Sequence, residues 1–256
     1  MTSPYSFSFE PLFLVLAAAA ALLYARARPE SRWRLVLFAL GLVLVAVPVN
    51  SPLETIAVRR LLLVHLLQNV MIADWAPPLL ILGLPPVLQA AVVRAGGRPL
   101  EVLTRPRVAL VLWLAAWYGT HAAPFYDYAL RHTWALNVEH LVLLGAGLVF
   151  WWPVLAREPQ RLSTPWTIAY LGAAFVASAF LGLALTFSTS VVYDFYAGVP
   201  RLWGLSPAKD QNLGGILMNA EQTVVFLSAL AYFLVRLLNE EELQHAVDPR
   251  KAEAGR

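Results

Sequence analysis

The sequence predicts an all-α membrane protein, a bundle of seven transmembrane helices. Hydrophobic residues make up 59 % of the 256 residues and charged residues only 14 %, whereas a soluble domain carries roughly 25 % charged residues. A bilayer core needs about 20 apolar residues per helix, and seven runs of that kind follow one another in the chain. The composition therefore leaves too little polar surface for a soluble globule.

The seven predicted spans are separated by polar or proline-containing segments. They lie near residues 9–25, 33–49, 57–75, 108–122, 134–155, 166–187 and 215–238. The first run has no basic segment before it and no A-x-A-type cleavage site, so we predict a retained span and not a signal peptide. Pro77, Pro78, Pro85 and Pro86 follow the third run. We expect these prolines to break it and to begin a short helix over residues 77–93, at the membrane surface or partly inside the bundle.

Basic residues predict the orientation of the bundle. Of the 19 Lys and Arg residues, 14 lie after the first, third and fifth spans and at or beyond the end of the seventh. Because cytoplasmic loops are rich in Lys and Arg, the amino terminus is expected outside and the carboxyl terminus in the cytoplasm. Residues 1–238 then form the transmembrane domain in the lipid bilayer of a bacterial cell membrane. Residues 239–256 form a polar tail, expected to be disordered, in which His245 is solvated. No basic patch of the nucleic-acid-binding type is found.

Four of the five histidines are expected at one depth, in the outer third of the bilayer or at its rim. His65 and His140 lie within the third and fifth spans, about 10 Å below the outer surface at roughly 1.5 Å per residue, and His121 and His132 lie at span ends. Helical spacing and the long last outer loop bring further polar side chains to this layer. These side chains are Asn69, Asn137, Glu139, Asp194, Gln211 and Glu221.

Metal coordination is the chemistry that these groups suit best. Imidazole and carboxylate bind Cu, Zn, Fe and Ni, and the absence of Cys excludes thiolate chemistry. Two alternatives stay open. His65 and His140 could be axial ligands of a haem, or Glu139, Glu221 and Asp74 could carry protons in a transporter or relay, although the sequence has no inverted repeat. Asp74 could equally cap a helix or reach the inner surface.

Three motifs occur in order between about residues 50 and 225. The first is HLLQN at 65–69 followed by APPLLILGLP at 76–85, and the second is HAAPFYD at 121–127 followed by EHL at 139–141 and FWWP at 150–153. The third combines YDFY at 193–196, SPAKDQ at 206–211 and GGILM at 214–218. Together they resemble the CtaG-like cytochrome c oxidase assembly factors, a family of polytopic membrane proteins.

The resemblance implies a non-enzymatic factor that helps to assemble a haem–copper oxidase by handling copper, with an oxidase subunit as its client. The metal-handling positions that it implies are His65, His121, His132, His140, Asp210 and Met218. Two positions depart from the family pattern, because Asn69 stands where a second His is usual and Asn219 stands where Trp is usual. An amide oxygen is a weaker ligand than imidazole, so we expect weaker or different metal binding.

Overall fold

The computed structural model describes residues 3–29, 31–157 and 161–247, with residues 244–247 described by their backbone only. Helices and loops make up all of the described chain. The helices are α1 (Pro11–Arg26), α2 (Arg32–Val49), α3 (Pro52–Arg59), α4 (Leu62–Val70), α5 (Ala76–Gly83), α6 (Pro86–Leu103), α7 (Pro106–Thr120), α8 (Ala123–Arg131), α9 (Thr133–Leu155), α10 (Thr164–Phe187), α11 (Asp194–Ala197) and α12 (Pro207–Val247), with a π turn (Met71–Trp75) between α4 and α5.

Five helices of the described chain are long and apolar enough to cross a membrane. They are Arg32–Val49, Leu62–Gly83, Thr133–Leu155, Thr164–Phe187 and Pro207–Leu243. The pair α7 and α8, bent by 66°, gives a sixth when counted as one span, and α1 is apolar but only 16 residues long. An all-helical, multi-pass membrane protein is thereby confirmed, with five to six candidate spans where the sequence predicts seven.

The outer surface of the bundle is apolar, as a lipid environment requires. Valines from five helices are between 56 and 67 % exposed, namely Val15, Val36, Val111, Val176 and Val224. Soluble monomers rarely expose contiguous apolar surface of this kind. The polar side chains discussed below are instead buried between the helices.

The predicted break in the proline-containing stretch is present, but it lies before the second pair of prolines and not at Pro77 and Pro78. The chain stays helical from Leu62 to Gly83, with the π turn before the two prolines, and the break falls at Leu84. A π turn holds one extra residue and so loosens the hydrogen-bond ladder at the point where proline would clash. The helix predicted over residues 77–93 is divided by this break, with its first part in α5 and the rest in α6.

A glycine on α9 packs against a backbone carbonyl that Pro77 leaves without a hydrogen-bond donor. Proline has no N–H, so the carbonyl of Ala73, four residues earlier, lacks its usual helical donor. Gly147 lies against this carbonyl, and a Cβ at residue 147 would overlap the oxygen and approach Pro77 Cγ to 2.7 Å. This close approach shields the carbonyl from lipid and explains the glycine.

Arg34 and Tyr24 bind the carbonyl groups at the end of α5. The guanidinium of Arg34 donates to the carbonyls of Leu82 and Leu84 at 3.1 and 2.7 Å. The Tyr24 hydroxyl donates to the carbonyl of Gly83 at 3.2 Å. Because the last carbonyls of a helix have no internal donor, these bonds fix where the third span ends.

Asn219, one of the two departures from the family pattern, joins α12 to α10. Gly182 leaves the space for it, since a Cβ at residue 182 would lie 2.5 Å from the Asn219 side chain. With its amide oriented to satisfy both groups, Asn219 donates to the Ala179 carbonyl at 3.1 Å and accepts from the Leu183 N–H at 3.0 Å. Such polar contacts hold membrane helices together.

Candidate functional site

The centre of the candidate site lies between α4 and α9. His65 and Asn69 lie one turn apart on α4, and Glu139 and His140 are neighbours on α9. All four side chains are at most 1 % exposed. Asn69 Nδ2 donates to Glu139 Oε1 at 2.8 Å, and His65 Nε2 lies 3.6 Å from the same oxygen. Glu139, expected beside the site, is therefore at its centre.

Aromatic rings extend this centre to a third histidine. The rings of His65 and His140 meet edge to face with centroids 5.9 Å apart. Tyr126 of α8 lies 4.9 Å from the His65 ring and 5.7 Å from the His121 ring. We call His65, His121, His140, Glu139 and Tyr126 the histidine cluster.

The histidine cluster is rich in buried polar atoms without a hydrogen-bond partner. They are His65 Nε2, His121 Nε2, both ring nitrogens of His140, Glu139 Oε2 and the Tyr126 hydroxyl. An unpaired polar group costs about 1–3 kcal/mol when it is buried, so most buried groups have partners. Several unpaired atoms at one place therefore offer hydrogen-bonding or metal-binding capacity that the side chains around them do not use.

The hydrogen bonds of His65 define which ring nitrogen carries its proton. Its Nδ1 lies 3.2 Å from the Tyr196 hydroxyl, and that hydroxyl donates its own proton to the carbonyl of Ala57 at 2.6 Å. Nδ1 therefore donates to Tyr196, and Nε2 of the neutral ring is left as an acceptor. This acceptor faces the Glu139 carboxyl group at 3.6 Å, so a proton or a metal ion between them would be stabilised by both.

His121 is held in the same way. Its Nδ1 lies 2.7 Å from the Trp117 carbonyl and so carries the proton, which leaves Nε2 free as an acceptor. The hydroxyl of Tyr193 donates to the backbone carbonyl of His121 at 3.0 Å. Burial raises the pKa of Tyr193, so this hydroxyl stays protonated. The loop between α10 and α12 thus lies over the histidine cluster.

Asp210 has a different position from the histidines. Its carboxylate accepts from the N–H groups of Leu62 and Leu63 at 2.9 and 3.0 Å and pairs with Arg201 at 2.7 Å. The first N–H groups of a helix have no internal acceptor, so Asp210 caps α4. It thereby fixes the helix that carries His65.

His132 also lies apart from the centre, whereas Met218 packs in the apolar cluster that includes Tyr126. The His132 ring stacks on Tyr128 at 4.1 Å and bonds the Tyr128 carbonyl through Nδ1 at 2.9 Å. Met218 is 1 % exposed in an apolar cluster that also contains Leu66 and Val70. Of the six predicted metal-handling residues, the structure brings together His65, His121 and His140.

Other expected neighbours have their own partners. Asn137 donates to Glu10, Asp194 is exposed, and Gln211 bonds the backbone of the loop between α10 and α11. Glu221 accepts from the indole N–H of Trp75 at 2.6 Å and lies close to Asp74. Asp74 is 1 % exposed. The expectation that it caps a helix or reaches the inner surface is therefore wrong.

Within the described parts of the chain, no three or more His, Asp or Glu side chains are already arranged as a metal site. The histidine cluster offers its donors one or two at a time, on α4, α9 and the end of α7. A haem between His65 and His140 stays a prediction.

Tyr126 and Tyr196 are the site residues that sequence reasoning left out of the candidate set. Both are buried, and they contact His65 from α8 and α11. The signal for Tyr126 lay in its motif, HAAPFYD, where the helix turns sharply after His121 and returns the tyrosine to the histidine.

Comparisons with known proteins give several matches. A family model described as cytochrome c oxidase caa3 assembly factor matches residues 11–240. Uncharacterized proteins of Mycobacterium bovis and Mycobacterium tuberculosis are each 31 % identical over 172 residues, 59 % of this chain and 26 % of theirs. One of Mycobacterium leprae is 26 % identical over 175 residues, 60 % of this chain and 26 % of its own.

The chain spans about a quarter of the length of these curated relatives, and no solved structure matches it. The family model, by contrast, covers most of the chain and all of the histidine cluster. The resemblance read from the three motifs is thereby confirmed: the chain belongs to the cytochrome c oxidase caa3 assembly factor family.

Proposed function

We propose that this protein assists assembly of a haem–copper oxidase by holding a copper ion in the histidine cluster and passing it to an oxidase subunit. The copper is cargo, and the role is non-enzymatic. His65, Glu139 and His140 are the first ligands, and His121 is a further donor at the outer end of α7.

The observation that carries this proposal is the pair of facing acceptors. His65 Nε2 and Glu139 Oε1 are 3.6 Å apart, and both are buried. Two acceptors repel unless a positive species lies between them. A copper ion supplies that charge, and the unpartnered nitrogens of His140 are available as the next ligands.

The donor set suits transfer more than storage. Imidazole binds copper well, whereas soft thiolates and thioethers give the tightest Cu(I) sites. The chain has no Cys, and Met218 lies in an apolar cluster. A site of imidazole and carboxylate therefore holds copper moderately and releases it to a site with better ligands.

The same proposal includes a topology. Counting α1 and the bent pair of α7 and α8 gives seven crossings of a bacterial cell membrane. The 14-to-5 distribution of basic residues favours an amino terminus outside and a cytoplasmic tail over residues 239–256. The histidine cluster then lies in the outer half of the membrane, where an oxidase subunit with an outer copper centre can receive the ion.

Copper titration of the purified protein in detergent, with a competing chelator, tests the proposed site. H65A and H140A are expected to weaken copper binding at least 10-fold, because each removes an imidazole. The matched control is H132A, which removes an imidazole outside the cluster and is expected to bind copper as the wild type does. H140Q keeps a side chain of similar length, which separates ligand loss from misfolding.

Wild-type affinity in both H65A and H140A would overturn the proposal. So would equal weakening by H132A. A coloured wild-type preparation with a Soret band that is lost in H65A and H140A would show that the histidine cluster binds haem and not copper.

A further inference from the structure

A second buried polar group lies apart from the histidine cluster, where the π turn meets α12. Asp74 of the π turn is 1 % exposed, and Glu221 and Gln222 of α12 are 7 % and 1 % exposed. The side chains of Glu221 and Gln222 face the Asp74 carboxyl group. Two carboxyl groups thus lie side by side in the interior of the bundle.

Few of the polar atoms in this group are satisfied. The Trp75 indole N–H donates to Glu221 Oε1 at 2.6 Å. Both oxygens of Asp74, Oε2 of Glu221 and Nε2 of Gln222 are buried without a partner. The unpaired amide beside the two carboxyl groups marks a polar site that is incomplete as it stands.

The elements packed against the π turn supply no positive charge to this site. They are α2, α4, α5, α9 and α12. On α9 the facing residue is Gly147, and α5 has no titratable side chain. The charged residues of α2 lie in its first turn, where Arg34 binds the end of α5. On α4 the titratable residue is His65, which faces Glu139.

The ion pairs found among the described residues also lie elsewhere, at His65–Glu139, Arg201–Asp210 and Arg236–Glu240. Two ionised carboxylates in contact inside a membrane, without a cation, are very unfavourable. Like charges that share a buried site therefore retain a proton.

We propose that Asp74 and Glu221 form a membrane-embedded proton-binding site. One carboxylate takes up a proton from a hydronium ion, whose O–H bond breaks and which is left as water, and the resulting carboxyl O–H donates to the facing carboxylate oxygen. The Trp75 N–H holds Glu221 in place for this bond, and the Gln222 amide is the donor available to Asp74. The site is independent of copper and of the proposed function.

Infrared spectroscopy tests this proposal, because the carbonyl stretch of a protonated carboxylic acid is separate from the bands of a carboxylate. The full-length protein in lipid vesicles is compared with D74N/E221Q at neutral pH. We expect the wild type to have an acid carbonyl band from this pair that is lost in the double variant, while other buried acids such as Glu54 keep their own absorption in both proteins. E101Q, a change on the exposed face of α6, is expected to keep the band. The single variant E221Q, whose side chain keeps the shape of Glu221, is measured in the same way in case the double variant misfolds.

Identical spectra of the wild type and D74N/E221Q in the acid carbonyl region would overturn the proposal. A metal cation in place of the proton gives a different result. In that case Na⁺ raises the thermal stability of the wild type relative to choline, D74N/E221Q loses this effect, and the wild type lacks the acid band. That outcome would also overturn the proposal.

Discussion

Glu54 is expected to make the stability of this protein fall as the pH rises. It lies on α3, outside the candidate spans, and is only 4 % exposed. Burial raises the pKa of Glu54 to about 7, with the nearby Glu10 adding to the rise and the hydrogen bond from Gln68 opposing it. Gln68 Nε2 donates to Glu54 Oε2 at 2.6 Å and to the Pro48 carbonyl at 2.8 Å.

The size of the effect follows from the two pKa values. The ordinary pKa of this carboxyl group is 4.5, and each unit of pKa difference is worth about 1.4 kcal/mol. The folded protein therefore loses ~3 kcal/mol of stability through Glu54 between low and high pH. Below pH 4.5 Glu54 is protonated in both the folded and the unfolded protein, and its full contribution to stability is present. Between pH 4.5 and about 7 Glu54 loses its proton only in the unfolded protein. This deprotonation stabilises the unfolded state, so the contribution of Glu54 to folding stability is lost over this range.

Thermal unfolding in detergent between pH 4 and pH 8 measures this contribution as the difference between the wild type and E54Q. The amide that E54Q introduces cannot ionise, and its oxygen accepts from Gln68 as the acid does. We expect E54Q to match the wild type near pH 4 and to be more stable by ~3 kcal/mol at pH 8. E101Q removes an exposed carboxylate and serves as the control.

An unchanged pH slope in E54Q would refute this reasoning. A loss of stability in E54Q at pH 8 would do the same, because it would mean that the ionised form is the one that the fold prefers. Equal effects of E54Q and E101Q would assign the slope to overall charge.

Three further predictions concern packing, capping and the position of a ligand. G147A is expected to destabilise the protein by about 1–3 kcal/mol, since the added methyl overlaps a backbone carbonyl. G145A on the same helix meets open space and should unfold no earlier than the wild type; equal costs would contradict the argument. D210A is expected to cost about 3–5 kcal/mol, because it removes the carboxylate that neutralises a partly buried guanidinium and accepts from two helix N–H groups. The exposed D194A should change thermal stability by less than about 0.5 kcal/mol. Y196F removes the hydroxyl that orients His65 and is expected to weaken copper binding by about 10-fold; an unaltered titration curve would remove Tyr196 from the positioning of that histidine.

The sequence predicted the helices better than the connections between them. Apolar runs identify a span because lipid-facing and buried positions are both apolar, whatever the partner helix. The helix through Pro77 and Pro78 was missed because proline usually ends a helix. The loosened π turn and the glycine at residue 147 that permit it lie partly on another element.

Within the candidate site, the level of a side chain along its helix was predictable from the sequence, whereas the direction in which it points was not. His65 and His140 could be placed at one level by counting residues from the span ends, and their rings do meet. Glu139 was expected beside the site, and it contacts His65 at the centre because α9 presents both of its neighbouring polar residues to α4. Asp210 was expected at the site, and it caps α4 because α12 begins beside that helix.

The sequence by itself determined an all-helical membrane protein, its family and the residue types that its chemistry can use. Those properties depend on composition, on local periodicity and on motifs, which are local features of one chain. Only the tertiary structure decided which side chains meet. It brought His65, His121 and His140 together around Tyr126, left His132 on Tyr128, and placed Asp74 beside Glu221. The physical reason is that the rotation and packing order of helices depend on the contacts of all their faces at once, and no single segment encodes those contacts.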